Sequence, residues 1–262
     1  MSISSAPARN ATIPAMKRCI LLLLLTAVLA AQTATEVEIT AEPHHHLVFE
    51  NAQVRAFSVD VAPHTDTLMH WHRHDYIYVM LGATQVINAV EGKDPLPGKL
   101  QDGQAGFTPG GFAHVVHVLD QPFHNLTIEL LEDDKLRQSP AHWDPAHPEE
   151  DRGLEVLEGG TKEILFVKDG IRVSEFELQP GGMIPLHHHA GPHLLVAVTD
   201  LDLLSDVAGT GPISGNMSGK MPGHFMSGQV KWLPGGYSHT LTNTGKTPAK
   251  FVTLEFPAGT PK

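Results

Sequence analysis

Gly181-Gly182-Met183-Ile184-Pro185-Leu186-His187-His188-His189-Ala190-Gly191-Pro192-His193 is the stretch that decides how this chain is read. In an extended strand, residues two apart share a face, so His187 and His189 point one way and His188 the other. His193 keeps the same parity. A second stretch completes the pattern downstream: Gly228, five residues, Pro234-Gly235-Gly236, two residues, His239, three residues, Asn243. Four imidazoles drawn from separate strands make chemical sense around one metal ion. Neutral imidazole suits Mn, Fe, Co, Ni, Cu or Zn far better than Ca or Mg.

The chain then repeats itself. His46-Leu47-Val48-Phe49-Glu50-Asn51-Ala52-Gln53-Val54-Arg55-Ala56-Phe57 parallels residues 163–174 at an offset of 117, which also carries Pro63 onto Pro180, His70 onto His187 and His72 onto His189. Farther on the offset is 125, pairing Gly103 with Gly228, Pro109 with Pro234, Gly111 with Gly236 and His114 with His239. A terminal strand closes each copy, at residues 126–130 and 252–256. Two homologous domains are expected, an N-terminal one over 36–132 and a C-terminal one over 154–260, joined by a Pro-rich, charged linker at 133–153. Short alternating segments punctuated by Gly and Pro, with no sustained helical period, predict an all-β fold of two tandem antiparallel β-barrels or jelly rolls. Asn51-Ala52-Gln53 and Lys168-Asp169-Gly170 read as turns between strands. Ala208 to Gly228 reads as a surface hairpin, with a lid over the barrel mouth as the alternative.

This pairing of motifs resembles the cupin superfamily, small β-barrels often duplicated as bicupins. The family's first motif is Gly-x5-His-x-His-x3/4-Glu-x6-Gly and its second is Gly-x5-Pro-x-Gly-x2-His-x3-Asn. The second domain matches the second motif in full, through Gly228, Pro234, Gly236, His239 and Asn243. It matches the first at Gly181, His187 and His189, with His193 in place of Glu and Asp200 in place of the last Gly, like the four-histidine variant of some cupins. The first domain is looser: His70, His72 and His114 are present, His64 stands where Gly is expected, and Val118 replaces Asn. The expected metal ligands are therefore His187, His189, His193 and His239 in one site and His70, His72 and His114 in the other. His74, Tyr76, Asp75 or water supplies the fourth ligand of the latter. One divalent transition metal per domain is expected. The remaining histidines lie outside the pattern: the His44-His45-His46 run reads as a solvated strand start, with adventitious metal binding as the alternative, and His117, His124, His142, His147 and His224 read as surface residues.

Composition narrows the setting. Histidine, at 18 of 262 residues, is the outlier. Residues 1–31 read as a signal peptide: Lys17 and Arg18 precede a run from Ile20 to Leu29 that is apolar apart from Thr26, followed by small Ala30 and Ala31. That run is well short of the ~20 residues a spanning helix needs. Its removal takes Arg9, Lys17, Arg18, no acid and the single Cys19, leaving 15 basic against 29 acidic residues, a formal charge of −14. A periplasmic or secreted protein without thiols follows, so neither disulfides nor thiolate chemistry can serve it. An acidic chain without a basic patch argues against nucleic acid. The expected partners are a small-molecule substrate or ligand and a second copy of the chain in a homodimer, with no membrane once the leader is cleaved. Gly-rich phosphate loops and Gly-x-Ser-x-Gly are absent. The resemblance implies the chemistry common among metal cupins, that of dioxygenases, decarboxylases, isomerases and lyases, and fold alone does not choose between them. The first reading is a metal-dependent enzyme, a dioxygenase-like oxidoreductase acting on a small organic molecule; a non-catalytic metal- or ligand-binding cupin is the alternative. No general acid or base is assigned.

Overall fold

The computed structural model describes residues 36–132, 153–208 and 219–258. The leader, nearly all of the linker with His142 and His147, and the tip of the 208–228 insertion lie outside them. The N-terminal half holds β1 (Val37–Glu38), a 3₁₀ turn (Ile39–Ala41), β2 (His45–Glu50), β3 (Val54–Val61), β4 (His70–His72), β5 (Tyr76–Met80), β6 (Thr84–Val90), β7 (Leu96–Leu100), β8 (Ala105–Thr108), β9 (Phe112–Val118) and β10 (Phe123–Leu130). The C-terminal half holds β11 (Gly153–Lys168), β12 (Ile171–His189), β13 (His193–Ala197), β14 (Leu201–Ala208), β15 (Gly219–Phe225), β16 (Val230–Leu233), β17 (Tyr237–Asn243) and β18 (Ala249–Glu255). The fold is two tandem antiparallel jelly-roll barrels. In the first, two five-stranded sheets face each other, ordered β1-β4-β9-β6-β7 and β2-β3-β10-β5-β8. In the second, one eight-stranded sheet curls around, because β12 pairs β18 along its first half and β17 along its second. The two strands β3 and β4 of the first barrel thus correspond to the single bent strand β12 of the second.

The duplication holds at atomic detail. His70 pairs His114 across β4 and β9, and His187 pairs His239 across β12 and β17. The Gly111 N–H donates to the carbonyl of His72 and the Gly236 N–H to that of His189, both at 2.7 Å. A Cβ on Gly110 would run into the backbone of His74, and one on Gly235 into the backbone of Gly191, the same position in the second copy. The Pro-Gly-Gly turn is therefore demanded by close backbone approach on the way into the histidine strand. Gly181 has φ +80°, and His64, which takes its place in the first copy, keeps the left-handed backbone at φ 57°. Asp169 and Gly170, at φ 52° and 81°, make the expected two-residue hairpin between β11 and β12.

Strand alternation divides the apolar residues between two kinds of core. In β5, Ile77 and Val79 face outward from their barrel, while Tyr76, Tyr78 and Met80 line its interior cavity. In β13, Leu194 and Val196 face outward and Leu195 and Ala197 inward. The two outward faces meet in one shared core that includes Leu126, Ile128, Ile171, Val173, Val252 and Leu254, all fully buried. Phe49 stacks on Trp232 across this seam, and Lys250 reaches over it to the carbonyl of Asp102 at 3.2 Å. Each barrel keeps its own smaller interior cluster, Val59, Val61, Met80, Val86 and Phe123 in the first and Leu178, Ile184, Leu203 and Phe251 in the second.

Candidate metal centres

In the first barrel, the Nε2 atoms of His70, His72 and His114 lie 3.1–3.2 Å from one another. In the second, Nε2 of His189 lies 3.0 Å from that of His187 and 3.1 Å from that of His239. Most of these rings have their tautomer fixed from behind. Nδ1 of His70 donates to the Leu68 carbonyl at 2.8 Å, and Nδ1 of His187 to the Pro185 carbonyl at 2.8 Å. Nδ1 of His114 meets Asn88 Oδ1 at 2.7 Å, Nδ1 of His189 donates to Glu255 Oε1 at 2.8 Å, and Nδ1 of His239 meets Ser205 Oγ at 2.7 Å. With Nδ1 carrying the proton, Nε2 presents a lone pair to the centre.

Lone pairs facing one another at this range repel unless a cation sits between them. Ligand bonds of roughly 2.1 Å meeting at about a right angle place donor atoms about 3 Å apart. Both triads therefore fit a divalent transition metal. Burial reinforces this, because desolvation disfavours the imidazolium form. It lowers His70 to about 4, with the nearby His45 adding to the effect, and lowers His114 and His239 to about 3, with neighbouring histidines contributing. His72 and His187 are pushed down by the same cause. Rings that stay neutral at working pH are ready to ligate.

His193 is brought to the second centre but not into its triad. Its ring lies on that of His189, centroids 3.9 Å apart and planes 15° from parallel, and its buried Nδ1 has no hydrogen-bond partner. Near-parallel rings hold their in-plane lone pairs side by side, not converging on a point. In the first barrel Tyr76 occupies the same slot and stacks on His72 at 4.3 Å. Its phenol is bonded to Thr108, and burial above all raises it to about 12, so it stays protonated. Asp75 is committed to the Gly110 N–H at 2.9 Å, and His74, next to it in the turn before β5, is outside the lining of the cavity.

The residue that sequence reading misplaced is His45. It is buried, not solvated: its Nδ1 is held by Glu42 Oε2 at 2.6 Å, and a ring nitrogen lies within 4.8 Å of ligand atoms of both His70 and His72. The Glu42-x-x-His45 spacing was the available signal. His117, His124 and His224 behave as surface residues, each paired with an aspartate: Asp66, Asp60 and Asp202.

Each triad opens into a cavity. That of the second barrel is about 410 Å³, walled by Phe176, Leu203, Phe225, Leu233 and Phe251 among others, with the arm β15 of the insertion forming one side. That of the first is about 300 Å³, with Tyr78, Met80, Leu96, Leu100 and Phe123 in its wall and Asn125 and Thr127 among its few polar groups. Among the described residues, Lys231 is the only Lys, Arg, Asp or Glu lining either one.

No protein-family model matches the chain, and no curated protein does. Solved structures do. An oxalate decarboxylase variant of Bacillus subtilis superposes with a TM-score of 0.58 at 15% identity, covering 81% of this chain and 72% of that one. The formate complex of Lactobacillus farciminis oxalate decarboxylase gives 0.56 at 17% identity, covering 79% and 78%. The fold is similar to that of these oxalate decarboxylases. At such identity the likeness extends to the barrels and their arrangement, and the chemistry has to be read from the site.

Proposed function

We propose that this chain is a metal-dependent enzyme, a dioxygenase-like oxidoreductase acting on a small organic substrate, exported to the periplasm or secreted. The observation that carries the reading is a three-histidine centre at the base of a largely apolar cavity of about 410 Å³, a size suited to a small ligand. A divalent metal there supplies Lewis acidity and, if redox-active, a route to dioxygen. His187, His189 and His239 would hold it, Glu255 and Ser205 would orient two of those rings, and the apolar walls would bind the substrate and exclude water. Three protein ligands leave positions open to substrate, as catalysis requires. The walls, apolar apart from Lys231 and a few uncharged polar side chains, support a small substrate with a largely apolar body. Export rests on the leader-like residues 16–31 and is tested by N-terminal sequencing of protein recovered from a periplasmic fraction.

A non-catalytic metal- or ligand-binding cupin is the second reading, favoured by His193, a fourth imidazole beside the second triad. Oxygen uptake by Fe(II)-reconstituted protein, measured over a panel of small apolar and enolisable compounds, decides between them. Substrate-dependent uptake lost in His189→Ala or His72→Ala supports the enzyme. Full metal loading without uptake on any compound supports the binder.

A further inference from the structure

We infer that His45, backed by Glu42, is the fourth metal ligand of the first centre, supplied from outside both histidine motifs. The inference rests on the reading above that this centre takes a metal. Glu42 is 2% exposed and sits in a built socket. Its Oε2 accepts from His45 Nδ1 at 2.6 Å and from the His44 N–H at 2.8 Å; its Oε1 accepts from the Leu68 N–H at 3.1 Å and meets His44 Nδ1 at 3.0 Å. A buried carboxylate so fully committed holds His45 in one orientation. With Nδ1 given to Glu42, the other ring nitrogen is the one left for the centre, and the His45 ring lies 4.7 Å from that of His70 and 6.1 Å from that of His72. Like the triad, His45 lines the first cavity.

The same carboxylate also steadies the triad. Leu68, whose N–H it accepts, turns its carbonyl to Nδ1 of His70 at 2.8 Å. Glu42 therefore positions two histidines. In neither barrel does the matched slot supply a fourth ligand: His193 lies flat on His189 in one, and Tyr76, whose phenol is spent on Thr108, fills it in the other. The second barrel has no counterpart: the residue matching His45 at the 117 offset is Lys162. The centres thus share three ligands and differ in the fourth group, a histidine from β2 in one and a ring stacked on His189 in the other.

The test uses Co(II) as sole probe in the full-length His189→Ala protein, so that the first centre alone reports. Titration gives affinity, and the visible d–d spectrum reports the ligand field. His45→Ala should lower affinity by more than the roughly 10- to 100-fold that loss of an outer hydrogen-bond partner costs, and should change the spectrum. Glu42→Gln, which keeps shape and loses charge, should lower affinity within that range and perturb the spectrum less. Unchanged affinity and spectrum in His45→Ala, with binding abolished in His72→Ala, would overturn the assignment while leaving the metal centre standing. No Co(II) binding by the His189→Ala parent, shown folded by circular dichroism, would remove the first centre itself and the inference with it.

Discussion

Glu255 accepts the Nδ1 proton of His189 at 2.8 Å, whereas its counterpart Glu129 is claimed by Arg55 and never reaches His72. Both Arg55 contacts fall on Glu129 Oε2, at 2.6 and 2.9 Å; Oε1 of Glu129 and Nδ1 of His72, both buried, are left without hydrogen-bond partners. In the second barrel Arg172 pairs with Glu255 in register but is exposed, which leaves the carboxylate to the histidine. A carboxylate behind a ligating imidazole fixes its orientation and raises its basicity. Glu255→Gln is expected to weaken metal binding at the second centre roughly 10- to 100-fold and leave the first untouched. Titrating Co(II) into this variant built on His72→Ala measures it; equal affinity with and without the carboxylate refutes it.

Metal content should divide by barrel. His72→Ala and His189→Ala are each expected to remove one ion per chain, and together to remove both, because the two triads share no residue. Elemental analysis of purified protein after dialysis gives the count. A single substitution that empties both centres contradicts independence.

The metal-free protein should lose stability on acidification from near neutrality. His70, at about 4, and His114 and His239, at about 3, bind protons more weakly in the folded chain than their ordinary value of 6.5. Above that value both states are neutral and stability is unaffected by these rings. As pH falls from about 6.5 toward 4 the unfolded chain takes up protons that the folded one refuses, so unfolding gains. Thermal melts of apo-protein should show Tm falling through this window. Metal-loaded protein should melt higher and fall later, since the ion binds only the folded arrangement and blocks protonation. An apo Tm that is flat from pH 7 to 4.5 counts against buried neutral histidines.

His64 holds a left-handed backbone that its counterpart Gly181 adopts without a side chain in the way. The left-handed region costs an L-residue about 1–2 kcal/mol, and the gain from relieving it is reduced by the greater flexibility of glycine when unfolded. His64→Gly should therefore stabilise the protein modestly, by up to about 1 kcal/mol. The His64 side chain is exposed and pairs loosely with Asp120 at 3.8 Å, while its backbone N–H bonds to the carbonyls of Val118 and Leu119 do not depend on the side chain, so little else is lost. Denaturant unfolding of apo-protein decides the sign.

The parts of this architecture that were legible from residues alone share one property: they recur locally. The parity of His187 and His189, the Pro-Gly-Gly turn before His114 and His239, and the doubled offset are all written in short spacings, and they led to the barrels and to the histidines that meet in them. What stayed hidden depends on which distant strands become neighbours. His45 sits in a run of three histidines, and only the passage of β2 beside β3 buries its middle member while His46 stays exposed. The divergence of Glu129 from Glu255 was equally invisible, because both copies carry the same Arg and the same Glu. His193 kept the parity that a ligand needs, yet the ring stacks flat on its neighbour, an outcome fixed by side-chain packing.

The seam between the barrels limits how this molecule could have arisen or could be dissected. Either half expressed by itself would bring Ile77, Val79 and Ile128, or Leu194, Val252 and Leu254, into water as a bare wall on one side. A protein built from one such barrel would have to find a second wall to cover its own. Cutting the chain between the halves should accordingly yield fragments that remain together, and a gene for a lone copy would encode something that survives only in pairs.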